Sequence, residues 1–423
     1  MRYIACLLAV LSLSGCISSV YEVPVVGNVL AGQGDTHPFE KPLPINTQPK
    51  RLALGSDFAI GVKEDGTVWS WGSGSKGELG MGKKENREIP QAIPNMTDFV
   101  EVAAGSEHVL ALRKDGTVWS WGNNEKGALG YKEDGVPYGP PNDIRFRPHQ
   151  LTPKQIPELK DVVSIAAGGG FSLALDKNGD IYAFGSGGYL IGEGIIQKTP
   201  KKMHHIDNAV RIIAGWANTV VLTKKGQLWY WGDLGYWLGT YEYDFIRNRA
   251  ERWQGNTLPW LAKTPLPVVD FASANVDFLL LQDGSVWAVG QSSYFMLGQG
   301  NGWQPKGLVK VKNIGRVIRI QPAMALDEKG TVWQWGAGVF SDFGSITGMN
   351  GSFESLPIRR IKNKQVVDIY ANRGNAYLLS DGSVWFYGYN FESRGTGEVW
   401  KNPNDQHDPK KWNNPEKSLW TWK

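Results

Sequence analysis

The chain has 423 residues, with 52 glycines, 19 tryptophans and a formal net charge of +4. A chain of this length would form two or three domains unless it is built from repeats, so repeats are considered first. So small a net charge argues against a dedicated nucleic-acid surface, which normally shows a concentrated basic field. No nucleic-acid partner is therefore expected.

Residues 1–15 are predicted to be an export signal. Arg2 supplies a positive charge, and an apolar run over residues 4–13 follows it. This run is too short to cross a bilayer, which needs roughly 20 apolar residues. The segment is therefore interpreted as a signal peptide that is removed from the mature chain.

The end of this segment, residues 13–16 (LSGC), resembles the lipobox of bacterial lipoproteins. The resemblance implies cleavage before Cys16 and lipidation of its thiol, so that acyl chains such as palmitate hold the protein on a membrane. Ile17 follows, and a residue other than aspartate at this position implies sorting to the outer membrane in Gram-negative relatives. Residues 16–40 are then a lipidated flexible tether in the cell envelope.

Only one other cysteine is present, Cys6, and it leaves with the signal peptide. The folded part is therefore expected to contain no thiol, no disulfide and no cysteine metal site. Its stability must come from a large hydrophobic core, which a chain of this size can form.

A tight turn of the type Asp-Gly-x-Val-Trp recurs seven times. The glycines of the seven copies are Gly66, Gly116, Gly179, Gly226, Gly284, Gly330 and Gly382. A period of about 50 residues with variable insertions is typical of a propeller or a solenoid.

Each repeat predicts four strands. In the second repeat, residues 100–105 form the first strand and its turn, residues 109–112 the second strand and residues 118–122 the third. Asp115-Gly116 lies between the second and third strands and supplies the positive φ that a tight hairpin needs. A glycine-rich loop then leads to a proline-bounded fourth strand, and four antiparallel strands make one propeller blade.

Residues 65–80 and 115–130 resemble the repeat of the regulator-of-chromosome-condensation family, whose pattern is D-G-x-V-x-x-W-G-x-N-x-x-G-x-L-G. The resemblance covers roughly residues 50–400, although the later copies are less regular. It implies an all-β fold, a seven-bladed β-propeller of four-stranded antiparallel blades, occupying residues 41–423.

One fourth strand must come from a chain end, because only six lie between the seven repeats. Residues 41–45 (KPLPI) are similar to residues 264–268 (TPLPV), which are interpreted as an internal fourth strand. An N-terminal strand over residues 41–47 is therefore predicted to close the ring. The alternative is residues 418–422 in the C-terminal tail, residues 398–423.

No pattern in the sequence calls for catalysis, a metal or a cofactor. Gly72, Gly74 and Gly77 have the spacing of a dinucleotide-binding loop, but no helical pattern follows them, so no nucleotide is expected. His204 and His205 are adjacent and would face opposite sides of a strand. His108 belongs to the first hairpin of its repeat. Catalytic residues, metal ligands and cofactors are all predicted to be absent.

Ten tryptophans occupy third-strand positions and are predicted to pack within and between blades. Further aromatic residues fall in the turns and long loops that an antiparallel blade places on one face, centred on the fourth repeat's insert, residues 236–260. The predicted partner-binding residues are Tyr138, Phe146, Trp216, Trp237, Tyr241, Tyr243, Trp253, Trp260 and Trp303. The alternative is that these side chains only pack the inserts onto their blades.

The resemblance implies two kinds of function. Eukaryotic family members exchange nucleotide on a small GTPase and bind chromatin, roles that do not suit an exported, tethered chain without a basic arm. Bacterial relatives include secreted propellers that inhibit enzymes by covering them with the loops of one face.

We therefore predict a membrane-anchored, non-enzymatic protein-binding module, a scaffold or inhibitor, with an unidentified protein partner in the cell envelope. The alternatives are a lectin that binds glycan or peptidoglycan, and a propeller lyase or hydrolase. The extra tryptophans are unequal between repeats, which favours a protein partner over a repeated glycan site.

Overall fold

The computed structural model describes residues 41–131, 149–186, 196–215, 218–232, 256–273, 276–290, 297–299, 308–336, 354–361, 366–371, 374–388 and 416–423. The regular elements in these ranges are 28 β-strands in seven sheets, each with four strands in sequence order. Neighbouring strands pair antiparallel within each sheet. The predicted seven-bladed β-propeller is therefore confirmed.

The strands of the first four blades are β1 (Leu52–Leu54), β2 (Phe58–Val62), β3 (Val68–Gly72), β4 (Arg87–Ala92), β5 (Phe99–Ala104), β6 (His108–Arg113), β7 (Val118–Asn123), β8 (His149–Gln155), β9 (Val162–Ala167), β10 (Phe171–Asp176), β11 (Asp180–Gly185), β12 (Gln197–His205), β13 (Ala209–Ala214), β14 (Asn218–Thr223), β15 (Leu228–Gly232) and β16 (Asn256–Leu261). The strands of the last three are β17 (Val268–Ser273), β18 (Val276–Leu281), β19 (Val286–Gly290), β20 (Val309–Lys310), β21 (Val317–Gln321), β22 (Met324–Asp327), β23 (Val332–Gly336), β24 (Glu354–Ile361), β25 (Val366–Ala371), β26 (Gly374–Leu379), β27 (Ser383–Gly388) and β28 (Glu416–Thr421). First strands of neighbouring blades contact one another, so they lie at the centre of the ring.

The seven predicted glycine turns join the second and third strands of the blades. Their glycines have φ between 72° and 92°, the left-handed region that favours glycine. Asp65 Oδ1 accepts the Thr67 N–H at 2.9 Å, and Asp115 does the same with Thr117 at 3.0 Å. The aspartate side chain thus closes the turn that the glycine makes possible.

The antiparallel order places the connections of every blade on two opposite faces. We call the face with the seven glycine turns and the blade-to-blade connections the turn face. We call the other the loop face; it carries the turns between first and second strands and the connections between third and fourth strands. In the first blade, residues 63–67 lie on the turn face and residues 55–57 on the loop face.

The third-strand tryptophans pack between blades, as predicted. Trp71, Trp121, Trp231 and Trp335 are fully buried. The Trp121 indole N–H donates to the carbonyl oxygen of Glu78 in the preceding blade at 2.7 Å. Each buried indole therefore fills the space between two sheets, and at Trp121 it also ties them together.

The C-terminus supplies the fourth strand of the seventh blade. β28 pairs antiparallel with β27, so the prediction that strand 41–47 closes the ring is wrong and the alternative is correct. Trp420 of β28 is 1% exposed, and its ring centroid lies 5.5 Å from that of Trp71 in the first blade. A Cβ at Gly61 would lie 2.4 Å from the Trp420 ring, so this glycine makes room for the closing strand.

The segment that was predicted to close the ring lies elsewhere. Leu43 N–H donates to the Gln282 carbonyl at 2.9 Å, and Asn46 N–H donates to the Val269 carbonyl at 2.7 Å, so residues 41–46 run along blades five and six. The internal segment used as the template, residues 264–267, is a connection between β16 and β17 rather than a fourth strand. Residues 41–46 and residues 264–267 therefore resemble each other in sequence, and neither segment forms a strand.

The predicted signal peptide and tether, residues 1–40, lie outside the described residues. In the part of the chain that the structure describes, no helix is long and apolar enough to cross a membrane.

Candidate functional site

Each innermost strand brings one residue to equivalent positions near the centre of the ring. In blades two to seven the pairing register of the innermost strand shifts near its start, and a polar residue follows the shift. Together with the residue just before β1, these positions form what we call the central ring: Arg51, Glu101, Ser164, Arg211, Asp270, Arg319 and Asp368. The charges alternate around it, positive in blades one, four and six and negative in blades two, five and seven.

Arg211 and Asp270 form the tightest pair of the central ring. Their Nη1 and Oδ1 atoms lie 2.5 Å apart, and their side chains are 9% and 3% exposed. Asp270 Oδ1 also accepts the Phe271 N–H, while Oδ2 accepts from the Asn46 side chain, both at 2.9 Å. Both carboxylate oxygens therefore have donors, which a buried charge requires.

Asp368 occupies a similar position in the seventh blade. Its Oδ2 accepts the Tyr370 hydroxyl at 2.8 Å, its Oδ1 accepts the Ile369 N–H at 2.9 Å, and Arg319 Nε lies 4.0 Å away. Burial raises the pKa of Asp368 above its usual value. Burial, together with the nearby Asp368, also raises the pKa of Tyr370 well above 10, so its hydroxyl remains a hydrogen-bond donor.

The N-terminal segment crosses the centre of the ring. Asn46 is bonded to β17 in blade five, whereas the Lys50 carbonyl accepts the Val102 N–H of β5 in blade two at 3.0 Å. Burial, with Arg211 nearby, lowers the pKa of Lys50 to about 8. Burial raises the pKa of Glu101 to about 7, although Lys50 and Arg211 oppose the shift. The chain's own residues 46–50 therefore bridge blade five and blade two across the centre of the ring.

A small cavity lies beside this segment. It has a volume of about 180 Å³ and is lined in part by Leu43, Asp270 and Arg319. Pockets for drug-sized ligands are typically about 300–1,000 Å³. The observed cavity would hold only a small molecule, so the centre is better suited to tying blades together than to binding a substrate.

Three histidines in the described part of the chain, His108, His204 and His205, contact neighbouring side chains. His108 Nε2 donates to Ser172 Oγ at 2.9 Å, and Ser172 in turn donates to the Ala128 carbonyl. Burial lowers the pKa of His108 to about 4, so the ring is neutral. His204 packs against Trp231, whereas the exposed His205 pairs with Asp180 at 2.7 Å.

Metal binding was also considered. Among the described residues, no group of three or more His, Cys, Asp and Glu side chains is arranged to hold a metal ion.

The loop face has rigid attachments in the first two blades. Ser70 donates to the Leu79 carbonyl at 2.8 Å, and Ser120 donates to the Leu129 carbonyl at 2.7 Å. These contacts hold the Gly-x-Leu-Gly end of each third-to-fourth-strand connection against the blade. Gly130 packs tightly there, since a Cβ at this position would lie 2.9 Å from the Phe184 ring of the next blade.

Eight of the nine predicted partner-binding residues, and the predicted lipidation site, fall outside the ranges that the structure describes. Cys16, Tyr138, Phe146, Trp216, Trp237, Tyr241, Tyr243, Trp253 and Trp303 lie outside the described residues. Trp260 was predicted to lie in a loop, but its backbone belongs to β16, where it pairs with Tyr230. The prediction for Trp260 is therefore wrong: β16 begins at Asn256, so the insert of the fourth blade ends before this residue.

The central ring was missed by the sequence analysis, although a signal for it was present. Charged residues interrupt otherwise apolar first strands, as in Val100-Glu101-Val102 and Val269-Asp270-Phe271. Alternation alone would assign such residues to a solvated strand face. Only the register shifts and the crossing N-terminal segment show that they meet at the centre.

Seven four-stranded blades around a charged centre define the chain as a seven-bladed β-propeller. The RCC1-like domain family matches residues 68–422, and the Regulator of chromosome condensation (RCC1) repeat matches residues 50–78. The protein therefore belongs to the RCC1-like domain family.

Two relatives illustrate the extent of the similarity. The human E3 ubiquitin-protein ligase HERC2 is 30% identical over 171 residues, which are 37% of this chain and 3% of that protein. The Arabidopsis thaliana ultraviolet-B receptor UVR8 is 35% identical over 66 residues, which are 15% of each chain. The matched segments therefore span only small parts of these relatives.

Solved structures share the propeller fold over most of the chain. Human WBSCR16 has a TM-score of 0.65 at 18% identity, covering 84% of this chain and 94% of that one. Prp20p from Saccharomyces cerevisiae has a TM-score of 0.62 at 23% identity, covering 84% and 85%. At these identities the likeness establishes the fold alone.

Proposed function

We propose that this protein is a membrane-anchored, protein-binding module of the cell envelope, and that its partner docks on the loop face. The observation that carries the proposal is the position of the fourth blade's insert. β15 ends at Gly232 and β16 begins at Asn256, both at the loop face, so the connection with Trp237, Tyr241, Tyr243 and Trp253 starts and finishes there. The proposal includes no catalytic step.

The family supports the general class of function. Propellers of the RCC1-like family are typically protein-interaction modules. One solved structure holds Kap60 bound to yeast RCC1, Prp20. That partner belongs to the yeast protein; what this chain shares with it is the propeller fold.

The geometry of the described part supports a face as the binding surface. Residues 46–50 cross the centre of the ring from blade five to blade two, so a macromolecular partner has the two faces and the outer rim available. The first two loop-face connections are held by buried bonds from Ser70 and Ser120. Such pre-organised loops lose little conformational entropy on binding, which favours affinity.

Alanine substitutions at Trp237 and Trp253 test the proposal. The partner is first isolated from envelope extract on the full chain, and its affinity is then measured for each variant. Hot-spot aromatic residues cost about 2 kcal/mol or more when truncated, so affinity should fall about thirtyfold. Ile89→Ala is the control, because Ile89 is 54% exposed on the outer strand β4, away from the loop face.

Three results would contradict the proposal. Unchanged affinity in both variants would place the contact on another surface. Loss of folding in both, seen by circular dichroism, would make the two tryptophans core residues. If the protein bound purified peptidoglycan and no protein partner, the alternative function as a lectin would be favoured.

A further inference from the structure

The N-terminal segment joins the ring on the turn face. The Lys41 carbonyl accepts from Arg316 Nη2 at 2.7 Å, and Leu43 N–H donates to the Gln282 carbonyl at 2.9 Å. Gln282 and Arg316 lie in the glycine turn of blade five and in the connection from blade five to blade six. The chain that precedes residue 41 is therefore attached at the turn face of these two blades.

The same part of the turn face is rich in lysine. Within the described ranges, five exposed lysines lie in the turns and connections of blades four to six, and we call them the basic half of the turn face: Lys224, Lys225, Lys263, Lys312 and Lys329. Two carboxylates share these turns and connections. Glu328 pairs with Arg316 at 3.1 Å, and Asp283 accepts hydrogen bonds from Ser285.

The other half of the turn face is different. In blades one to three the described cations are outnumbered by carboxylates: Lys63, Arg113, Lys114, Lys160 and Lys177 against Glu64, Asp65, Asp98, Asp115, Glu158, Asp161 and Asp207. Several of these cations form ion pairs, such as Arg113 with Asp98 at 3.2 Å and Lys177 with Asp161 at 3.1 Å. The positive charge of the turn face is therefore concentrated where the N-terminal segment is attached.

We propose that the basic half of the turn face binds the anionic headgroups of a membrane surface. Lysines that lie close to an anionic bilayer are each attracted to it, and the attraction is screened by salt within about 8–10 Å at physiological ionic strength. A chain anchored through residues that enter at this face would hold the lysines next to the lipid. The loop face then points away from the membrane, and this second consequence rests on the proposed function.

The point of attachment is consistent with this orientation. The chain enters the ring at Lys41, on the turn face, through the bond from Arg316. A six-residue strand is about 20 Å long, and this length separates the turn face from the loop face. An anchor that precedes residue 41 is therefore nearer to the turn face.

Vesicle binding with position-specific dyes tests the proposal. The full chain carries Cys6→Ala and Cys16→Ala, so that no acyl chain contributes, and one new cysteine for a fluorophore. Gln227→Cys places the dye on the basic half, and Ser75→Cys places it on the loop face; both residues are exposed and uncharged. The vesicles contain phosphatidylglycerol with phosphatidylcholine, or phosphatidylcholine alone, with a spin-labelled headgroup as quencher.

We expect quenching of the dye at position 227, and little at position 75, on phosphatidylglycerol vesicles only. High salt should abolish it. Equal quenching on phosphatidylcholine, or stronger quenching at position 75, would overturn the proposal.

A matched pair of triple variants isolates the charges. Lys225→Gln, Lys263→Gln and Lys329→Gln together should weaken binding to phosphatidylglycerol vesicles by about tenfold or more. Lys114→Gln, Lys160→Gln and Lys177→Gln remove the same charge from the other half and should change binding by less than about twofold. Equal loss in both variants would mean that net charge alone, and not this surface, is responsible.

The readout separates this inference from the proposed function. If the loop-face variants at Trp237 and Trp253 bind their partner normally but quenching at position 227 persists, the docking proposal fails and the lipid surface stands. If the partner assay succeeds and no vesicle binding is seen, only the lipid surface fails.

Discussion

Asp270 shows how a charge is held at the centre of the ring. Its two oxygens accept from Arg211, Asn46 and the Phe271 N–H. Asp270→Ala would leave the Arg211 guanidinium buried without its carboxylate, and this should cost about 3–5 kcal/mol of unfolding free energy. Chemical denaturation measures the loss.

A double replacement is the control for this prediction. In Arg211→Met with Asp270→Leu, both charges are removed together, so neither is left buried alone. The double variant should be more stable than Asp270→Ala. If the double variant were less stable than Asp270→Ala, the Arg211 side chain would stabilise the fold even without its carboxylate partner.

His108 makes stability depend on pH. Its pKa is lowered from 6.5 to about 4 in the folded chain, whereas in the unfolded chain it is close to 6.5. The contribution is therefore complete above pH 6.5 and is lost as pH falls towards 4, by about 3 kcal/mol in total. His108→Gln should flatten the stability curve over this window, as urea titrations at pH 7, 5.5 and 4.5 would show. If the substitution left the pH dependence of the unfolding free energy unchanged, the His108 imidazole would have an ordinary pKa in the folded chain.

For individual residues, the sequence could predict the seven glycine turns but not the charged residues of the central ring. Each glycine of the Asp-Gly-type turns has the positive φ that its position required, because a tight hairpin imposes that conformation locally. Glu101 and Asp270 meet the N-terminal segment only through contacts far apart in sequence. No local pattern reports such a contact, so their importance became visible only in the folded ring.

β28 is the element on which ring closure depends. Deletion of residues 416–423 should lower the melting temperature more than deletion of residues 41–47, because it removes a strand and the buried Trp420. Trp420→Ala alone should cost about 3–5 kcal/mol. Trp422→Ala is the matched control; this tryptophan is half-buried and should cost less. A larger effect of the N-terminal deletion would show that the crossing segment matters more than the closing strand.

The closing strand was mispredicted for a physical reason. The pattern Pro-Leu-Pro followed by a β-branched residue occurs both at 41–45 and at 264–268, and proline is tolerated in edge strands and in irregular connections alike. The pattern could not distinguish the two. The C-terminal strand has a feature that the N-terminal segment lacks: the Trp420 ring occupies the space beside Gly61. This contact joins residues far apart in sequence, so neither Pro-Leu-Pro segment indicates it.

For the whole molecule, attachment to the membrane is the prediction with the widest consequence. Cys16→Ala should leave the chain without acyl groups and move it from the membrane fraction to the soluble fraction in high-salt washes, because a surface of lysines alone is salt-sensitive. Metabolic labelling with an acyl-chain probe and fractionation measure this. Membrane retention of the variant in high salt would place the anchor elsewhere.

The seven-bladed architecture could be predicted because the repeat occurs seven times in the sequence. Any one copy is weak, and the sixth lacks the usual turn after its first strand, with Ala323 at φ 52° in its place. Seven copies about 50 residues apart nevertheless determine blade number and strand order. The faces of the long inserts follow from antiparallel order, whereas the positions of their aromatic side chains do not, since no repeat constrains them.

The position of Trp420 also sets an order of events during synthesis. The first blade is made early, but the surface around Trp71 and Gly61 stays open until β28 has been made. Until then the nascent protein exposes an apolar sheet face, which is what chaperones and export machinery recognise in a chain that is not yet folded. A ring whose seventh blade covers its first blade with β28 therefore completes its packing only after residues 416–421 have been made.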